Sequence, residues 1–417
     1  MYSEFTNRLL NAKSGFDFVT AHFECEKNKF SQNNPNGYVN FGSAQNFISK
    51  QQIEKRLDSM RYSSADAAYC SFAGTSSCRS AIAHYLGDIA GQNISPDNIV
   101  VGNGLISILE AIGIAILNPG DSLLMPTPVF PGLVTAFTSR IGASFIPLAT
   151  KPVDQFAITP EKLEARIQEL RVVGRNVKAV LLCSPGNPIG QVFTADQVRE
   201  FIQLSEALDF TLVVDEIYAS SCFNDVEFFS SLAIPSDNVV AVGGLSKDFG
   251  VAGYSTGWAH TTNKSILKAL HKQAHFFRLP APVQSAIELF LEPTWRASFI
   301  EQNRSELTSC YQESIELLTR LGIPVTPAKA GLVLWLDLRD YISANTEAAQ
   351  LELYQYLLNE HRVHVSPGCG FHCTTPGFFR ICFSQQKETL REGLRRIRHG
   401  LSQISRRSNN VNLTVEV

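Results

Sequence analysis

Between residues 98 and 243, short apolar runs rich in Val, Leu and Ile alternate with longer segments whose apolar positions recur every three to four residues. The runs at 98–101, 122–125, 178–183, 211–214 and 238–243 read as strands, and the segments at 107–117, 160–172 and 195–208 read as helices. Strands joined by helical crossovers run parallel, with helices covering both faces, so the pattern predicts an α/β domain built on a mostly parallel sheet. Ligands of such sheets bind beyond the carboxyl ends of the strands. Polar and glycine-rich residues gather at those ends: Gly102-Asn-Gly104, Ser184-Pro-Gly-Asn187, Asp215-Glu216 and Gly244-Leu-Ser-Lys247.

After about residue 280 the texture changes. A long helical stretch at 295–321 is followed by an apolar strand at 331–339, a helix at 347–359 and a strand at 378–383, the outline of a smaller α+β domain. The first fifty residues lack strong periodicity and are expected to pack onto it. The predicted organisation is thus an N-terminal segment (1–50), a large domain (51–285) and a small C-terminal domain (286–417).

Composition narrows the class. Of 417 residues, 44% are hydrophobic and 18% are charged, below the roughly 25% usual for soluble domains, which suits a large core or an oligomer that hides surface. A net charge of -3 offers no broad basic field for phosphates, so nucleic acid is not an expected partner. The basic run at 391–407 is interleaved with Leu394, Ile397 and Leu401 at helical spacing, the pattern of a solvated helix face. No apolar run approaches the roughly 20 residues of a membrane span, and the N-terminal residues mix acids with polar groups, so a soluble, cytoplasmic protein is expected. The nine scattered cysteines read as reduced thiols, and Cys369, His372 and Cys373 lack a second ligand pair, so no metal is predicted. The glycosylation-like triplets at Asn93, Asn303 and Asn412 are discounted for want of a secretory route.

Asp215 ends an apolar strand, where an unpaired carboxylate is costly and wants a cationic partner. Tyr218 can bring a phenol to the same point, Asn187 an amide from a neighbouring strand tip, and Lys247 an amine from a glycine-rich turn. These are the groups that pyridoxal phosphate needs: an amine for its aldehyde, a carboxylate to keep its ring nitrogen protonated, and an amide and a phenol for its ring hydroxyl.

In that order, N-P-x-G, D-E-x-Y and S-K, the chain resembles the fold type I pyridoxal phosphate enzymes of the class I/II aminotransferase superfamily. Within it the chain is most similar to the 1-aminocyclopropane-1-carboxylate synthase group, which acts on S-adenosylmethionine. The segments that carry this extend over nearly the whole chain: Asn34-Pro-Asn-Gly37, Phe41-Gly-Ser-Ala-Gln-Asn46, Pro126-Thr-Pro-Val-Phe-Pro-Gly132, Ser184-Pro-Gly-Asn-Pro188, Asp215-Glu-Ile-Tyr218, Leu245-Ser-Lys-Asp248, Ser366-Pro-Gly368 and Pro376-Gly-Phe-Phe-Arg-Ile-Cys-Phe383. The resemblance implies a homodimer. It implies Lys247, Asp215 and Tyr218 as catalytic residues, Arg380 as the clamp on the substrate carboxylate, and Phe130 stacked on the cofactor ring. The backbone amides of Gly104, Leu105 and Ile106, with the hydroxyls of Ser246 and Ser255, are then expected around the cofactor phosphate.

Several positions depart from the family pattern. Gln45 stands where the family has a glutamate, which speaks against cyclopropane formation. Gly244, Ser255 and Phe72 stand where the family has a hydroxyl, a guanidinium and a phenol that reaches across the dimer. The expectation is therefore elimination or replacement at the side chain of an amino acid such as S-adenosylmethionine, with carbon–carbon bond formation in specialised metabolism as one outcome. Transamination and a non-catalytic relative are the alternatives. A weakened phosphate site follows, with tighter cofactor binding in a Gly244→Ser, Ser255→Arg double variant.

Overall fold

The computed structural model describes residues 2–11, 18–223 and 226–414. Its central sheet has seven strands: β1 (Ile99–Asn103), β2 (Ser122–Thr127), β3 (Ser144–Ala149), β4 (Val177–Cys183), β5 (Thr211–Asp215), β6 (Val239–Gly243) and β7 (Thr256–His260). Their order is β1-β7-β6-β5-β4-β2-β3, with β7 antiparallel to both its neighbours and the remaining pairs parallel. Five of these strands answer to apolar runs in the sequence. The other two carry weak signals. Edge strand β3 contains Pro147, tolerated where one side of the strand has no ladder to join, and β7 contains Gly257 and His260 in only five residues.

Val, Leu and Ile from both faces of this sheet enter separate apolar layers. Helices Leu105–Ile116 and Lys264–Phe277 cover one face and helices Pro160–Val172 and Ala195–Ala207 the other. Burial on both faces explains why β4, β5 and β6 read as unbroken apolar runs.

A second sheet has four strands, β8 (Val325–Thr326), β9 (Val333–Asp337), β10 (Ser366–Pro367) and β11 (Phe378–Cys382), in the antiparallel order β10-β11-β9-β8. Helices Glu347–His361 and Lys387–Thr414 pack on it. The N-terminal segment joins this body: Val39 and Asn40 pair in parallel with Val363 and His364, and Val39 and Phe41 are fully buried in its core. The expected boundary at residue 285 lies within helix Ala281–Phe290. Helix Pro293–Arg320 lays Phe299 in the core beneath β1 and β7, and Leu307, Cys310 and Leu318 in the core of the small sheet.

One residue of the basic C-terminal run does not face solvent. Arg396 is buried, donates to the carbonyls of Gly37 (2.7 Å) and Pro35 (2.6 Å), and pairs with Glu392, so the run ties the N-terminal segment to the small body. Asn303, met in the sequence as a glycosylation-like triplet, is likewise buried. Its Oδ1 accepts from Asn46 Nδ2 (2.8 Å) and Ser49 Oγ (2.7 Å).

Phe41 is wholly enclosed between the N-terminal segment and the C-terminal helix, where a Cβ on Gly393 would already strike its ring at 2.3 Å. Phe41→Ala is expected to destabilise the small body by about 3–5 kcal/mol, read as a lower urea midpoint with the central sheet the later to melt.

Candidate active site

The carboxyl ends of three strands and the loops after two more open on one cavity of about 520 Å³. Its walls include Asn103–Ile106 after β1 (numbers 103–106), Phe130 after β2, Cys183 and Asn187 at the end of β4, Asp215 and Tyr218 at the end of β5, Ser246 and Lys247 after β6, Ser255 before β7, and Arg380 from β11. The parallel order of the large sheet puts those tips on one side, and the small sheet supplies the lid residue Arg380.

Lys247 Nζ donates to the carbonyl of Ala44 at 2.7 Å, and burial, reinforced by nearby Arg380, lowers its ammonium to about 8. Asp215 is buried at the base. Burial pushes its carboxyl up to about 7, against the hydrogen bond that Ile217 N–H donates to Oδ1 at 3.1 Å. Arg380, also buried, donates to Asn187 Oδ1 (3.2 Å) and to the Gly42 carbonyl, and its guanidinium lies 4.7 Å from the centre of the Phe371 ring. Asn187 in turn donates through Nδ2 to Tyr218 Oη at 3.4 Å. One amide thus links the guanidinium to the phenol.

The neighbours of these residues fix their positions. Asp248, next to Lys247, accepts from Ser220 N–H (2.9 Å), Ser221 Oγ (2.5 Å) and Tyr85 Oη (3.4 Å), which holds the lysine turn against the segment after Tyr218. Glu216, next to Asp215, accepts from Ser230 Oγ, Ser231 Oγ and Ser231 N–H, each at 2.7 Å. Neither carboxylate lines the cavity.

The donor set fits pyridoxal phosphate. Gly104, at φ 84°, opens helix Leu105–Ile116 with no side-chain cap, so the first amides of a twelve-residue helix face the cavity beside the hydroxyls of Ser246 and Ser255, a suitable place for a phosphate. At the opposite side, Arg380 Nε is buried without a partner, and among the described residues no carboxylate pairs with that guanidinium. An anion from outside would complete it.

Most of the sequence-predicted residues meet here: Gly104, Leu105, Ile106, Phe130, Asn187, Asp215, Tyr218, Ser246, Lys247, Ser255 and Arg380 all line the cavity. Two do not. Gln45 follows the lining residues Gly42, Ser43 and Ala44 but is not itself in the cavity wall, and its backbone carbonyl accepts from Ser384 Oγ (2.9 Å). Phe72 lies beside a separate cavity of about 300 Å³, with its ring against His275 and Arg278. Gly244 needs a different correction. A Cβ there would fall 2.4 Å from the Thr256 carbonyl oxygen, so the missing hydroxyl reflects the close approach of β7.

Sequence reasoning missed Cys183, whose only signal was its place as the last residue of an apolar strand before Ser184-Pro-Gly-Asn187. It also missed His22 and Phe23, which reach the cavity from helix Phe18–Lys27. Nothing in the uneven pattern of the first fifty residues marks them.

A family model described as aminotransferase class I and II matches residues 27–397. The chain belongs to that family, and it is a pyridoxal-phosphate-dependent enzyme, a lyase or a transferase. More particularly, it is 28% identical over 401 residues to 1-aminocyclopropane-1-carboxylate synthase 8 of Arabidopsis thaliana, covering 90% of this chain and 86% of that one. It is 27% identical to the Arabidopsis protein named "Probable aminotransferase ACS12", covering 84% and 75%. Among solved structures, an aminotransferase from Mycobacterium tuberculosis superimposes with a TM-score of 0.80 at 21% identity, covering 97% of this chain and 99% of the other. The aspartate aminotransferase of Thermus thermophilus with maleate does so with 0.77, also at 21%, covering 96% and 99%.

Two outcomes are expected from this geometry. An amine reacts in its neutral form, and a lysine at about 8 is half neutral there, against about 0.4% for one at the usual 10.4. Borohydride trapping of pyridoxal phosphate on the cofactor-free chain should therefore rise through a midpoint near pH 8 and map to Lys247. A label on another lysine contradicts the site. Gly244→Ser, by contrast, should lower both the melting temperature and cofactor retention on dialysis, while Ser255→Arg alone strengthens retention, because Ser255 is exposed and lines the cavity.

Proposed function

We propose that this enzyme acts on an α-amino acid, S-adenosylmethionine, by elimination or replacement at the side chain. The observation that carries the reading is the cavity's charge. Among its described lining residues Lys247 and Arg380 are the lysine and arginine, and Asp215 is the one acid. With Lys247 reserved for the reacting amine, one guanidinium remains, enough for a single α-carboxylate and not for a dicarboxylic substrate. The rest of the wall, Phe23, Ile106, Phe130, Leu133, Ile217 and Ala252, suits a bulky side chain without negative charge. Likeness to the synthase relatives over 90% of the chain supports the choice of substrate.

In this reading Arg380 takes the α-carboxylate in its planar fork, held in place by Asn187 and the Gly42 carbonyl. That contact fixes the α-carbon toward Lys247. Pyridoxal phosphate, when bound, supplies an aldehyde carbon that bonds the amino group and a protonated ring that takes up electron density from the α-carbon. Lys247 Nζ, lowered to about 8 by burial, is a base matched to neutral pH and takes the α-proton. Asp215, at the base of the cavity, would hold a proton on the ring nitrogen. Tyr218 and Asn187 would hold the ring hydroxyl. A positive sulfonium on the side chain is then a ready leaving group.

Transamination is the second reading, favoured by the relative named as an aminotransferase. A homodimer belongs to the proposal, since Phe72 and the aromatic pocket around it could then serve a neighbouring chain. The exposed Tyr69 and Phe276 near that pocket support such an interface. A cytoplasmic location is part of the same reading, supported by nine free cysteines. Among the described residues no helix is long and apolar enough to cross a membrane.

Adding S-adenosylmethionine to the loaded enzyme should change its visible absorbance and release methylthioadenosine, with little aminocyclopropane carboxylate. Stoichiometric amine cofactor and a keto acid would instead establish transamination. Lys247→Ala should abolish turnover with the fold intact by circular dichroism. Arg380→Lys keeps the charge but loses the fork, and should weaken substrate binding by about 1.5–3 kcal/mol, roughly ten- to a hundredfold in Kd by calorimetry.

A further inference from the structure

The thiol of Cys183 sits against the carboxylate at the base of the cavity. Cys183 and Asp215 are register partners on the parallel strands β4 and β5, so their side chains leave the sheet on the same face. Cys183 Sγ lies 3.7 Å from Asp215 Oδ2 and 3.2 Å from the carbonyl oxygen of Pro185. The other carboxylate oxygen, Oδ1, is already held by Ile217 N–H. A thiol has one proton and two acceptors within reach. We propose that Cys183 is a positioning residue for Asp215, donating to Oδ2 when the carboxylate is charged and turning to the Pro185 carbonyl when it is not.

Three features support this beyond proximity. The two donors reach different oxygens of the carboxylate, Ile217 N–H at Oδ1 and Cys183 Sγ at Oδ2, so together they limit its rotation. Cys183 borders both the main cavity and a smaller one of about 50 Å³ behind it, so its S–H has space to rotate. The thiol itself stays protonated, because burial and the nearby Asp215 charge both raise it well above the ordinary range. It is a donor here and not a nucleophile. The groups that act on Asp215 from the surrounding elements are Glu216, which disfavours its charge, and Lys247, which favours it. Tyr218 and Arg380 also line the shared space. Cys183 is distinct among them because it can serve both protonation states of the acid without moving the backbone.

This inference rests on the reading that Asp215 serves the cofactor's ring nitrogen, but its test begins without cofactor. The Asp215 carboxyl band is assigned by infrared difference titration of the cofactor-free full chain, using Asp215→Asn as the blank. In Cys183→Ala the carboxylate loses a donor, and its midpoint should move up by roughly 0.5–1 pH unit, less than the roughly one to two units of an ordinary donor to a charged group because a thiol is a weak donor. In Cys183→Ser a stronger donor replaces the thiol, and the midpoint should move down. That opposite pair of shifts is not expected from packing alone. Identical midpoints in all three proteins, or Cys183→Ser following Cys183→Ala, overturn the proposal even if both variants melt earlier. The loaded enzymes give a separate readout: the visible pH titration of bound cofactor should shift in Cys183→Ala and return in Cys183→Ser. A shift in the free chain without one in the loaded enzyme would uphold the thiol–carboxylate pair and count against Asp215 as the cofactor's partner.

Discussion

A buried arginine, a half-buried lysine and a buried acid surround a single cavity, and desolvating their heads is the constraint that the rest of the structure serves. Lys247, Arg380 and Asp215 each pay for burial in a displaced titration: the amine falls to about 8, the guanidinium to about 10, and the carboxyl rises to about 7. None of the three forms an ion pair within hydrogen-bonding distance among the described residues. Their heads are held by carbonyls, amides and a thiol instead, so each keeps capacity for something brought from solution. A site that satisfied its own charges would be more stable and would have nothing left with which to bind an amino acid.

Holding such groups in place requires a rigid shell. The carboxylates that follow them in the chain supply it: Glu216 saturates its oxygens on Ser230 and Ser231, and Asp248 on Ser220, Ser221 and Tyr85. Through the Asp248 carbonyl the lysine turn also meets Asn303, which in turn holds Asn46 and Ser49. Long helix, N-terminal segment and lysine turn are joined in one buried polar network. Because buried polar groups left unpaired are costly, the loss of one member strains the rest.

The departures from the family pattern have separate physical origins. At Gly244 the cause is steric, since the Thr256 carbonyl occupies the space a side chain would need. At Ser255 it is chemical: the residue is exposed at φ 49°, and a hydroxyl stands where the family has a guanidinium. What the cavity offers a phosphate there is the uncapped helix at Gly104 and the hydroxyls of Ser246 and Ser255. At Gln45 the position itself is displaced, as its backbone is fastened to Ser384 and only the residues before it reach the cavity.

Much was legible in the chain alone, because it depends on local pattern. Unbroken Val and Leu runs at β4, β5 and β6 mark strands buried on both faces, and a parallel sheet puts their carboxyl ends together. Asn187, Asp215, Tyr218 and Lys247 could therefore be assigned to one place before any coordinate. What depends on contacts across the chain could not be read. Arg396 looked like one more cation on a basic face, and only the fold shows it clamping Pro35 and Gly37. His22 and Phe23 reach the cavity because helix Phe18–Lys27 docks beside it, and no periodicity announces where a helix will dock. Cys183 is identical in sequence terms to any cysteine ending a strand. Register with Asp215 on the neighbouring strand, a relation between residues 32 positions apart, decides that its thiol meets the carboxylate.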